Sequence, residues 1–179
     1  MANIFTYQTL KDTTSQVVIK LTGSFDGTGQ ESNTVRVVSN SLFGALDANG
    51  VPLRSILSLS NTAKPFYNMQ LGRVWYQTNI PSIELRWSAK TAANAQTIMF
   101  ISGTQTWSDQ TSWPSIPNNA NTPTTLGDAT GDVGIATLGA AANSAYTIIA
   151  EFRKDNRDYQ RGQFTDPAAF NFPPFNLKP

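Results

Sequence analysis

Periodicity constrains this chain more than any other feature. Apolar residues recur at every second position in short runs, and helical periodicity is nearly absent. Ile83, Leu85 and Trp87 alternate with Glu84, Arg86 and Ser88. Tyr146, Ile148, Ala150 and Phe152 alternate with Thr147, Ile149, Glu151 and Arg153. Val17, Ile19 and Leu21 share one face, opposite Lys20 and Thr22. Successive side chains of a strand point to opposite sides, so each run reads as a half-buried strand. Further strands are expected at 4–9, 34–38, 55–59, 70–78 and 97–102, which makes about eight in all. Turn chemistry separates them. Asp26-Gly27 and Asn49-Gly50 supply the positive φ that tight hairpins need, and Pro81 cannot sit in a central strand. The pattern predicts an all-β fold, an antiparallel β-sandwich or jelly roll.

Two regions depart from it. Residues 103–132 are polar, contain Pro114 and Pro117, and read as one long loop. Loops of that length tend to be functional. The last 26 residues, 154–179, show no strand pattern; they carry Tyr159, Phe164, Phe170, Phe172 and Phe175 among Pro167, Pro173, Pro174 and Pro179. The expected organisation is a sandwich domain over 1–153 and an extended Phe/Pro-rich carboxy-terminal arm over 154–179. A chain of 179 residues suits a single domain with its own core.

Composition narrows the function. Charged residues make up 14%, against about 25% in ordinary globular domains, and Ser, Thr, Asn and Gln take their place. A polar, weakly charged surface suits a protein covered by neighbours, because a buried charge must be paired or bear its desolvation. The net charge of +1 gives no electrostatic case for nucleic acid or an anionic membrane. The one basic concentration, Arg153, Lys154, Arg157 and Arg161, is interleaved with Asp155 and Asp158 and reads as a solvated mixed-charge stretch. With no cysteine and no histidine, disulfides, thiolate metal sites and a Ser-His-Asp triad are all ruled out. The opening Met1-Ala2-Asn3-Ile4-Phe5-Thr6 lacks the pattern of a signal peptide. No apolar run approaches the roughly 20 residues of a membrane helix. The expectation is a non-enzymatic protein made in a reducing cytoplasm, with no cofactor, no metal and no small-molecule substrate.

The arm is the leading candidate site. A disordered linker would hold few aromatics, and proline lowers the entropy cost of an extended path. Fully stretched, the segment reaches on the order of 80 Å. Burying its aromatics contributes roughly 8–15 kcal/mol, whereas fixing its backbone costs about 1–2 kcal/mol per residue. Side-chain burial alone does not order it, so backbone hydrogen bonds are needed too, as in strand addition to a sheet edge. It either engages a neighbouring subunit or folds back over its own sandwich. Trp107 and Trp113, in the long loop, are the second candidates: interface anchors, sugar-stacking platforms, or a minor core beneath the loop. Asp128-Ala129-Thr130-Gly131-Asp132 offers too few oxygens for Ca²⁺ and reads as a turn. Asp26-Gly27-Thr28-Gly29 lacks the Lys and the helix of a phosphate loop. The 12 Asp and Glu include no pair whose context marks a glycosidase.

Both ends of the chain carry distinctive strings: Phe5-Thr6-Tyr7-Gln8-Thr9, Lys11-Asp12-Thr13-Thr14, Val18-Ile19-Lys20-Leu21-Thr22-Gly23 and Phe25-Asp26-Gly27-Thr28, then Tyr159-Gln160-Arg161-Gly162-Gln163-Phe164, Asp166-Pro167-Ala168-Ala169-Phe170-Asn171 and Pro173-Pro174-Phe175. In these segments, about a third of the chain, the sequence resembles small virion structural proteins of tailed phages of marine cyanobacteria. The resemblance implies a virion component and brings no catalytic or cofactor residue. The combined expectation is a capsid cement or decoration subunit that binds the major capsid protein and itself, as a homo-oligomer such as a trimer. Tyr159, Phe164, Phe170, Phe172, Phe175, Trp107 and Trp113 are its expected contacts. A tail, neck or baseplate component and a carbohydrate-binding module for the host surface are the alternatives.

Overall fold

The computed structural model describes residues 3–32, 34–53, 62–108, 115–118 and 128–160. The described residues form ten strands: β1 (Ile4–Asp12), β2 (Gln16–Ser24), β3 (Thr34–Val37), β4 (Met69–Thr78), β5 (Ser82–Ala89), β6 (Gln96–Ile101), β7 (Thr104–Ser108), β8 (Ile116–Pro117), β9 (Ala129–Leu138) and β10 (Ala145–Lys154). The strand expected at 55–59 lies outside the described residues.

The strands make two antiparallel sheets, and the fold is an all-β sandwich. The wider sheet runs β1-β2-β10-β4-β7, and the two-residue β8 also pairs with β4. The narrower sheet runs β3-β9-β5-β6. Alternation decides which side chains meet between the layers. From the wider sheet come Val17, Ile19 and Leu21 on β2, Leu71 and Val74 on β4, and Ile148, Ala150 and Phe152 on β10, all buried. From the narrower sheet come Ile83, Leu85 and Trp87 on β5, with Val133 and Ile135 on β9. The Trp87 and Phe152 rings join the layers edge to face, with centroids 5.7 Å apart. The Trp87 indole N–H donates to the Pro117 carbonyl at 3.0 Å, so this buried polar edge is satisfied. At the Asn79-Ile80-Pro81 break the chain leaves one sheet for the other, and Ile80 itself is buried.

β9 corrects the expectation at 128–132. Those residues do not form a free turn; all but Asp128 belong to an inner strand paired with both β3 and β5. Gly131 has φ 84°, and a Cβ there would collide with the Tyr67 carbonyl, so this strand tolerates only glycine at its closest backbone approach. The supposed long loop is likewise interrupted by β7 and β8, which follow one another along the β4 edge.

Replacing Trp87 with Ala should destabilise the fold by about 3–5 kcal/mol, because it removes the ring that fills the space between the sheets. Denaturant unfolding of the full chain reads this directly; a loss under about 1 kcal/mol would mean that the interlayer packing is not as described.

Candidate functional site

The carboxy-terminal exit is fixed by a buried lysine. Lys154 closes β10, and its side chain has no exposure. Its ammonium donates to the Thr13 carbonyl at 2.7 Å and the Phe43 carbonyl at 2.8 Å, pairs with the Asp12 carboxylate, and lies 4.9 Å from the centre of the Tyr159 ring. Burial pushes the ammonium pKa down, and the hydrogen bond and charge of Asp12 oppose that shift. One cation thus ties the β1–β2 hairpin, the loop after β3 and the end of β10 together. Lys154 is therefore not the start of a solvated arm, because all of its donors and its charge are used inside the body.

Tyr159 is corrected in the same way. It has no exposure, its hydroxyl donates to the Ser39 carbonyl at 3.0 Å, and its ring packs on Tyr67 with centroids 5.6 Å apart. Burial, with the Asp158 charge next, drives its phenol pKa upward. It is a core residue and cannot serve as an interface contact. The turn that delivers it is held by carboxylates. Asp155 takes the Arg157 guanidinium and amide on one side and Asn68 on the other, which holds its pKa down to about 2. Asp158 accepts from the Asn68 amide at 2.9 Å and from Lys64 at 3.2 Å. The last described bond runs from the Gln160 amide to the Gly44 carbonyl at 2.7 Å. The body therefore extends through Gln160 rather than ending at Arg153.

Trp107 is not on a loop. It lies on β7 opposite Val74, half-buried and packed against the core. An exposed stacking platform is not available there, because the ring is spent on its own body. Trp113, Phe164, Phe170, Phe172 and Phe175 lie outside the described residues.

The surface that sequence reasoning missed is the β1 margin. β1 is an edge strand: β2 pairs with one side of it, and no described strand pairs with the other. Its register sets Phe5, Tyr7 and Thr9 beside Gly23, Leu21 and Ile19, on the side that faces the narrower sheet. On β2 that side is sealed, with Ile19 0% and Leu21 1% exposed; on β1 it is open, with Tyr7 44% exposed. Only the Ile4 end is partly covered, where the Phe5 ring packs on Phe25 and the Arg36 guanidinium of β3 sits 4.4 Å above it. A bulge at Leu10 then swings that side chain out, 47% exposed. At the far end the Phe43 amide donates to Asp12 at 2.8 Å, and the Phe43 ring stands 51% exposed. Beside it lies a groove of about 230 Å³, lined by Leu42, Phe43, Ala45, Leu53 and Gln160.

Other surface features are less suited to binding. Phe100 and Leu138 project from the outer face of the narrower sheet, flanking a notch of about 480 Å³ that Glu31 and Glu84 also line. Those carboxylates are engaged: Glu31 by Arg36 and by the Tyr146 hydroxyl at 2.8 Å, Glu84 by Arg86 and Thr97. Asp128 is bound by Thr91 and Asn94, and Asp132 by Ser39, so the two do not converge on a common ion. Among the described residues no group of three acidic side chains is placed to hold a metal, and no helix is long and apolar enough to cross a membrane.

No protein-family model matches the chain, and neither the curated proteins nor the solved structures yield a match.

Substituting Asp12 with Ala should cost about 3–5 kcal/mol, since it strands a buried ammonium. Adding Lys154→Met to that variant should recover much of the loss. Thermal or denaturant unfolding of the two variants checks this; a double variant less stable than the single one would show that the lysine stem, and not its charge, holds the exit.

Proposed function

We propose that this chain is a non-catalytic structural subunit of a tailed-phage virion, a capsid cement or decoration protein that stabilises the head by binding the major capsid protein and other copies of itself. The observation that carries the proposal is the unfinished margin at β1. An open strand edge, with its apolar inner side bare, is completed when another polypeptide supplies both hydrogen bonds and side chains. The rest of the molecule fits such a role. Its weak charge lowers the desolvation cost of being enclosed by neighbours, and 179 residues without cysteine or histidine offer no thiol or imidazole chemistry. The resemblance of both chain ends to cyanophage virion proteins points the same way. Such a protein is made in the host cytoplasm and resides in the particle. A place in the tail, neck or baseplate would use the same margin, and copy number separates the two: a lattice-wide count on the head, against the few copies of a ring.

The test is a chain ending at Gln160, which keeps Tyr159 and the Lys154 pin. It should unfold at about the same denaturant concentration as the full chain, within roughly 1 kcal/mol, and should fail to join particles. Normal incorporation of the shortened chain would remove the arm from the assembly role.

A further inference from the structure

The geometry points to the open edge of β1 as the receptor for residues 161–179 of a second copy of this chain, added as an antiparallel strand that lays its aromatic side on the bare shelf of Tyr7 and Thr9. The inference rests on the assembly role proposed above and names the partner.

Three features converge. The first is supply of backbone bonds. β1 has nine residues and no described partner on its outer side, so it can take a full-length strand. The second is the shelf. Tyr7 faces the narrower sheet, yet that sheet ends at β3 and does not reach over it. A bare edge strand would accept any extended peptide; a bare edge with an uncovered inner side favours one that is apolar at alternate positions. The third is the spacing of the arm. Ala168-Ala169-Phe170-Asn171-Phe172 places Ala168, Phe170 and Phe172 on one side and is free of proline, whereas Pro167 and Pro173 bracket it. A shorter run with the same spacing, Phe175-Asn176-Leu177-Lys178, lies between Pro174 and Pro179, but only 168–172 sets two phenylalanines on one side.

The same spacing selects a second copy over the chain's own edge. The chain leaves Gln160 near Gly44, and Phe43 beside it is bonded to Asp12, at the carboxy-terminal end of β1. A strand running back along its own β1 from that point would use residues 161–169 first. Those residues include Gly162 and Pro167 and only one aromatic, Phe164. Residue 168 is eight positions beyond Gln160, about 26 Å of extended chain, and β1 itself spans about 30 Å. The run best suited to the shelf would therefore overshoot its own edge at the Ile4 end. On a neighbouring copy, residues 161–167 serve as the connector and the run is free to take the edge in register.

The absence of cysteine makes the test clean, because any introduced thiol is unique. In the proposed pairing Phe170 and Phe172 face the shelf, so Asn171 faces outward, as Gln8 does beside Lys20. Full-length Gln8→Cys and Asn171→Cys proteins, mixed and oxidised mildly, should form a mixed disulfide dimer. Its yield should exceed by about tenfold that of Asn171→Cys mixed with Thr106→Cys, at the opposite edge of the same sheet, because strand pairing raises the local thiol concentration. Equal yields at the two edges, or no mixed dimer, would overturn the inference. So would a doubly substituted Gln8→Cys/Asn171→Cys chain that closes only on itself at every concentration, since the arm would then cover its own edge. Tyr7→Lys with Thr9→Lys should abolish the cross-link while leaving the unfolding midpoint in place. If the cross-link fails but the chain ending at Gln160 still cannot join particles, the receptor assignment falls and the assembly role stands; a strong cross-link with normal joining by the shortened chain reverses that.

Discussion

Among the described residues, the two sheets of this sandwich differ in width, and the margin of the wider one is left partly bare. β3 reaches β1 only at Phe5, through Arg36, and among the described residues the narrower sheet has four strands to set against the wider one. The core closes at β2, where Ile19 and Leu21 are sealed, and remains open one strand further out. The hydrophobic effect acts on area wherever it lies, so an apolar shelf beside unpaired backbone groups is a site at which association lowers free energy. Isolated apolar residues on a surface are ordinary. What sets Tyr7 apart is that it sits on a strand edge that no described strand pairs.

The opposite requirement, a rigid exit for the chain, is met by burying polar groups with full complements of partners. Lys154 spends its donors on Thr13, Phe43 and Asp12, and Tyr159 spends its hydroxyl on Ser39. Removing either side of such a pairing leaves a stranded polar group, which costs more than the pair contributes. These contacts fix the chain as far as Gln160, whose amide bonds the Gly44 carbonyl. An arm that must find a neighbour gains from such an anchor, because a fixed start reduces the volume it has to search.

Much of this architecture was legible in the chain. β2, β5 and β10 alternate without interruption, and the structure buries the sides that the alternation names. The pattern fails where local chemistry departs from the strand period. β9 was hidden because Gly131 interrupts its apolar side while Asp132 and Gly134 lie opposite, and Gly131 is there for close backbone approach rather than for a turn. β7 is written in Thr, Gln and Ser around Trp107, so it reads as loop, and only pairing with β4 makes it a strand. Tyr159 looked like part of a ribbon because the turn that carries it has no period, and Lys154 because it is the last residue of β10. The β1 margin was invisible for a different reason. Its exposure is a property of the other sheet's width, and no pattern within residues 4–12 encodes where β3 stops.

The central claim is that the terminal aromatic segment is ordered by a neighbouring polypeptide and not by its own sandwich. Amide hydrogen exchange over residues 161–179, compared between the dilute free chain and the assembled particle, tests it most directly. Exchange slowed by orders of magnitude on assembly, matched by slowing along Ile4 to Leu10, is the predicted result. Amides of Phe164 to Phe175 already as protected in the free monomer as in the particle would contradict it.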